Sequence, residues 1–173
     1  CIYPELGYDC DGNLSLQIGD IYQGGYIFYI DETGEHGLVA AMEDLEGTYE
    51  WGCDGTSLEG ADGTAIGTGY QNTLDIVSGC SQTPIAASEA LAYESEGFND
   101  WYLPSRYELY EMYNTIGKGG PEGNIGGFQG YFYWSSSQLG YDPSYAYVVN
   151  FSTGSTTTRL KGSTYSVRVI RSF

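Results

Sequence analysis

"GFNDWYLPSRYELYEMYNTIG", residues 97–117, decides how this chain is read. Ser105 followed by Glu108 has the spacing of a capping box, in which each side chain bonds the other residue's backbone N–H. Leu109, Met112, Tyr113 and Ile116 then recur at i, i+3, i+4 and i+7, one face of a helix, and Gly117 stops the run. Pro104 keeps the residue before it extended, so "DWYL" enters the helix as a strand-like segment. Alternation along it puts Trp101 and Leu103 on one face, and these two are expected in the core. Asp100 is left to bond backbone groups, so "NDW" at 99–101 reads as a structural corner rather than a ligand triad.

Upstream, "IYQGGYIFYI" (21–30) and "GLVAA" (37–41) read as two strands around the turn "DETGEHG". Residues 52–69, "GCDGTSLEGADGTAIGTG", form a long Gly/Asp loop. "YQNTLDIVSGC" is a short helix with Asn72 or Thr73 near its start and Gly79 at its end. Thr83 and Pro84 make an N-cap and first turn for a further helix through "IAASEALAYE" that Gly97 stops. After a Gly-rich loop, "YFYWSSS" (131–137), "AYVVNFSTG" (146–154), "STTTRLK" (155–161) and "YSVRVIRSF" (165–173) predict a C-terminal antiparallel sheet, with "STGS" as a hairpin turn. The order predicts an α+β fold with adjacent terminal strands. Residues 1–16 are expected as a separate Cys/Asp-rich stapled segment, and 17–173 as the domain.

At 173 residues the chain fits one domain with one core. Six Lys and Arg against 23 Asp and Glu give a net charge of -17, which repels nucleic acid and anionic membranes. No apolar run approaches the roughly 20 residues that span a bilayer. The 26 Gly and 18 Tyr point to a loop-rich, aromatic-rich protein outside the cytoplasm. Cys1, Cys10, Cys53 and Cys80 predict two disulfides, and four cysteines allow three connectivities. Cys1–Cys10 and Cys53–Cys80 is the preferred pairing, since each pair brackets a local loop. Zinc is the rival, but there is no C-x-x-C and His36 is the only histidine. A chain beginning on Cys1 is expected to be a processed piece of a longer precursor.

Taken in order, "IGDIYQGGYIFYI", "EWGCDGTSLEGADGTAIGTGYQNT", "GFNDWYLPSRYELYEMY", "YWSSS" and "YSVRVIR" resemble the bacterial domain at the C-terminus of the Legionella collagen-like adhesin, related to the Fibrobacter major paralogous domain. The resemblance runs from about residue 18 to 173. It implies a C-type-lectin-like arrangement: an antiparallel sheet, two to three short helices and long Gly-rich loops carrying any ligand site. The family's corner is usually D-W-R-L-P, and here Tyr102 replaces the arginine. The adhesin implies sulfated polysaccharide as ligand, which a surface at -17 would repel.

"DCDGN" places Asp9, Asp11 and Asn13 at alternate positions around Gly12, a hard-oxygen set expected to take Ca²⁺. Asp54, Glu59 and Asp62 offer a second acidic loop, which reads as solvated. No nucleophile–base pair is apparent: His36 lies in a turn, and Glu94/Glu96 and Glu108/Glu111 read as solvent-facing helix pairs. Tyr141 and Tyr145, in "LGYDPSYAY", are the expected exposed contact residues. The expectation is a secreted, non-catalytic recognition or adhesion module of a bacterial surface that binds a glycan or a surface protein. A subunit of an extracellular filament is the alternative, and a hydrolase a distant third.

Overall fold

A computed structural model describes residues 15–173, and these form an α+β fold. Strands β1 (Ile21–Tyr22), β2 (Gly25–Ile30), β3 (Gly37–Ala41) and β9 (Ile170–Ser172) pair antiparallel in that order. A second antiparallel sheet joins β5 (Phe132–Gln138), β6 (Tyr145–Asn150) and β7 (Thr156–Leu160). Two short strands, β4 (Tyr49–Glu50) and β8 (Thr164–Tyr165), pair between them. Helices α1 (Gly69–Gly79), α2 (Ala86–Ala92) and α3 (Arg106–Thr115) complete the described residues. Among them, no helix is long and apolar enough to cross a membrane.

The capping box forms as read. Ser105 Oγ accepts from Glu108 N–H and the Glu108 carboxylate accepts from Ser105 N–H at 2.6 Å. Leu109, Met112 and Ile116 are fully buried. The segment before them is held to the last strand, Tyr102 and Ile170 exchanging both backbone bonds at 2.8 and 3.0 Å. Alternation then serves two cores. Trp101 and Leu103 join Trp51, Trp134, Val167 and the inner faces of α1 and α2. Tyr102, facing the other way, joins Phe28, Leu109, Met112, Tyr133 and Phe151 under α3.

Several expectations are corrected. "IYQGGYIFYI" is a hairpin, not one strand, because Gln23 and Gly24 both take positive φ (46° and 85°) and turn the chain in two residues. Helix α1 starts earlier, at Gly69 after the N-cap Thr68, and Asn72 and Thr73 lie buried inside it. Their cap-forming side chains bond across instead: Asn72 Nδ2 donates to Gly63 O, and Thr73 Oγ1 accepts from Leu103 N–H. Helix α2 starts after Ile85, where Ser88 Oγ accepts the Ile85 N–H, and it ends at Ala92, short of Gly97. The final segment does not stay in the C-terminal sheet. Its Thr164–Tyr165 pairs with β4 and its Ile170–Ser172 with β3, beside which the chain ends. The two terminal strands therefore share one sheet without pairing, though Tyr22 in β1 and Phe173 just after β9 meet edge-on at 5.1 Å.

Asp100 is also reassigned. Its main partner is not the corner's backbone but Arg171, which it grips with both oxygens, at 2.6 and 2.9 Å, and that bond to Arg171 holds its carboxyl below the usual range. Arg171 lies 4.0 Å over the Phe98 ring. Its neighbour Arg168 is buried, bonding Asp44 at 2.7 Å, the carbonyls of Ala41 and Gly126, and the Phe128 ring at 4.2 Å. Asp44 accepts a second bond, from Tyr133 Oη at 2.7 Å.

Arg168→Ala leaves Asp44 without its cation and two carbonyls without a donor. Urea unfolding should show a loss of about 3 kcal/mol, in the range for breaking a buried pair. Arg168→Lys should recover less than half of it, because one ammonium cannot replace a planar fork that meets three partners.

Candidate functional site

The long loop from Gly52 to Thr68 has no helix or strand of its own, yet Leu58 and Ala61 bury their side chains in the core. Its backbone groups must find partners elsewhere, and side chains supply them. Gln138 accepts from Leu58 N–H and donates back to Leu58 O, while its own N–H meets Ala61 O at 2.8 Å. Ser137 Oγ donates to Gly63 O, Ser105 Oγ to Ala65 O, and Lys161 Nζ to Thr56 O at 2.8 Å. Glu108 accepts the Gly67 N–H at 2.7 Å with its other oxygen. Gly69 is required here, since any Cβ would collide with the Glu108 carboxylate and the Leu103–Ser105 backbone. Cys53–Cys80 then ties the start of the loop to the end of α1, their Cα atoms 5.8 Å apart.

This corrects the reading of Glu108 as solvent-facing. It is fully buried, and burial raises its carboxyl above the ordinary range despite the backbone bonds that oppose the shift. Glu94 and Glu96 lie beyond α2 in a turn closed between Ser95 and Phe98, not on a helix. Asp54, Glu59 and Asp62 do not converge: among the described residues, no three His, Cys, Asp or Glu are placed to hold a metal. The calcium set Asp9, Asp11 and Asn13, and the Cys1–Cys10 pair, lie outside the described residues.

Elsewhere, at the open end of the β5–β6 hairpin, a cleft of about 410 Å³ is bounded by Thr48, Tyr131, Phe132, Asn150, Thr164 and Tyr165. Among the described residues, its lining carries no Asp, Glu, Lys, Arg or His. One wall is fixed by ring packing: Tyr165 meets Phe132 at 5.6 Å and Trp134 at 5.0 Å, both edge-on. Arg159 stacks on Phe132 at 4.4 Å and donates to Thr158 O. Tyr131, by contrast, is 66% exposed at the rim.

Tyr141 is 87% exposed, as expected, but at the opposite end of the same hairpin. Tyr145 is half-buried, opening β6 opposite Leu160. Neither borders the cleft. Sequence reasoning placed Tyr131 and Tyr165 only as the first residues of two expected strands. The signal that groups them is the β4–β8 pairing, which brings Thr48 and Tyr165 to the mouth of the hairpin.

The cations explain the electrostatic setting. Of six Lys and Arg, five lie on aromatic rings: Arg106 on Tyr147, Arg159 on Phe132, Lys161 on Trp51, Arg168 on Phe128 and Arg171 on Phe98. Among the described residues, Lys118 alone is exposed without a ring. Lys161, Arg168 and Arg171 are buried, so few cations reach a strongly acidic surface, and the uncharged cleft is an interruption in it.

The family model described as Lcl C-terminal domain matches residues 41–171 of the chain. No curated protein matches it.

Burial holds the Lys161 amine down to about 8, from an ordinary 10.5. Between those pH values the unfolded chain keeps a proton that the folded chain has released, so stability contributed here rises with pH. Unfolding free energies measured from pH 7.5 to 10 should climb for the parent relative to Lys161→Met. A constant difference would place the amine's ionisation at its ordinary value.

Proposed function

This chain belongs to the Lcl C-terminal domain family, and we propose that it is a non-catalytic recognition module of a bacterial surface that holds its ligand in the Tyr131–Tyr165 cleft. The observation that carries this reading is the composition of the cleft. A chain at -17 presents a concave site lined by aromatic rings, hydroxyls and an amide, with no ionised side chain among the described residues that bound it. Small-ligand sites are built this way: apolar walls with a few placed polar groups. General acid–base chemistry asks for a proton carrier tuned near the working pH, and among the described residues that bound the cleft the phenols of Tyr131 and Tyr165 are the only titratable groups. The Cys53–Cys80 bridge supports an extracellular or cell-surface setting, where disulfides form and persist.

The stitched loop suits the same role. Its backbone is fixed by buried side chains, so the domain offers a preset surface and loses little conformational freedom on binding. Recognition by such a module is weak per site and gains strength from several copies on one surface.

A second reading, a subunit of an extracellular filament, is favoured by one observation. Tyr141, an exposed aromatic, and the apolar cleft lie at opposite ends of one hairpin, so they cannot meet within a molecule. A protruding group on one end and a receptive hollow on the other generate head-to-tail, non-closing assembly.

Beads coated with the full chain should adhere to bacterial biofilm matrix, and Tyr131→Ala should reduce adhesion at least about tenfold, the effect of losing one stacked ring worth about 1.4 kcal/mol. Tyr141→Ala should leave adhesion unchanged. If light scattering instead finds assemblies that grow with concentration and that both substitutions abolish, the filament reading replaces the first. Adhesion indifferent to Tyr131 moves the ligand out of the cleft.

A further inference from the structure

Resting on the reading of the cleft as the ligand site, we infer that its ligand is an uncharged carbohydrate of one or two sugar rings, seated against Tyr131 and bonded by Asn150. The backbone around the cleft is already committed. Gly130 O accepts from Ser152 Oγ, Tyr131 O from Phe151 N–H, and Phe132 O from Ser166 N–H at 3.3 Å. Asn150 O accepts from both Thr153 and Gly154, and β8 is paired with β4. A peptide bound by strand addition needs an unbroken ladder of free N–H and C=O groups, and the carbonyls along this wall are already bonded. Recognition therefore falls mainly to side chains.

Those side chains set the chemistry. A cationic ligand would need a carboxylate in the lining, and among the described residues there is none. A sulfate or uronate would need a cation. The cation beside this wall, Arg159, lies on the Phe132 ring, gives an N–H to Thr158 O and is not itself among the lining residues. Any anion would also approach against a net charge of -17. What remains is an exposed tyrosine ring, an amide and hydroxyls. Asn150 uses its carbonyl oxygen on Ser152 N–H at 2.8 Å, which leaves its amide hydrogens as donors. Thr48 and Thr164 add hydroxyls that both donate and accept. A sugar ring matches this set: its C–H face packs on an aromatic ring, and its hydroxyls pair with groups that are neutral themselves. At about 410 Å³ the cleft is near the small end of ligand sites, so the bound unit is short.

The test is NMR titration of the isotope-labelled full chain with uncharged disaccharides (maltose, cellobiose and lactose), a sulfated disaccharide, and N-acetyl-tyrosinamide, at about 0.15 M salt. An uncharged disaccharide is expected to shift resonances of Tyr131, Asn150 and Tyr165 with millimolar affinity. Tyr131→Ala should weaken it at least about tenfold, and Tyr131→Phe should retain most of it. Because Tyr131 lies mostly in solvent, neither change threatens the fold. Asn150→Asp should also weaken binding, and unchanged affinity would remove the amide from the site. Tighter binding of the sulfated sugar overturns the inference. Shifts from N-acetyl-tyrosinamide without any from sugars keep the cleft as a ligand site but overturn carbohydrate as its ligand. Concentration-dependent shifts of the cleft resonances in the chain alone assign it to a second copy. Silence from every probe removes both the inference and the cleft reading beneath it.

Discussion

A buried stretch of chain with no helix or strand must have its backbone satisfied by something else, and the structure is organised around meeting that demand for residues 52–68. The partners come from far away in sequence: Gln138 for Leu58, Ser137 and Asn72 for Gly63, Ser105 for Ala65, Glu108 for Gly67, Lys161 for Thr56. Each is a polar side chain that burial would otherwise penalise, and each removes an equal penalty from the loop. The serine run of β5 is explained by this role. Ser135, Ser136 and Ser137 are fully buried because they bond the loop, α1, β6 and the start of α3. Such a network is cooperative: a single apolar substitution would orphan a carbonyl or an N–H in the core.

The same economy of placement governs charge. Cations are few, and the fold uses nearly all of them internally, on aromatic faces and buried carbonyls. Arg168 and Arg171, on one final segment, anchor it to Asp44 and Asp100. That segment crosses from the β4–β8 pair to the four-stranded sheet, and these ion pairs fix it to the β3–β4 connection and to the corner before α3. The carboxylates at the surface go largely uncompensated. An uncharged cleft in such a surface discriminates by what the rest of the molecule repels as well as by what its own walls attract.

Rigidity and recognition are thus assigned to different parts of the molecule. The loop that looked most like a ligand-binding element, rich in Gly and Asp, is held in place by buried side chains. The cleft sits instead where the open end of the β5–β6 hairpin meets the β4–β8 pair. Chain segments separated by some eighty residues and more supply its walls, from Thr48 to Tyr131 and Tyr165.

The local signals were legible in the sequence because they are local. The capping box at Ser105 and Glu108, the helix face of Leu109, Met112 and Ile116, the buried strand at "GLVAA" and the Cys53–Cys80 bridge all follow from short spacings and residue chemistry. Within them, however, a polar side chain has two uses that spacing cannot separate. Asn72 and Thr73 read as helix-start residues, and Glu108 as a cap facing water, because a local bond is the default in the absence of a neighbour. Tertiary packing decided otherwise, bringing buried backbone within reach of each. It also decided that the last strand visits two sheets, since Arg168 and Arg171 find their carboxylates on distant segments. The cleft belongs wholly to this second category: no residue in it carries a signal of its own, and only the pairing of distant strands makes its rings and hydroxyls neighbours.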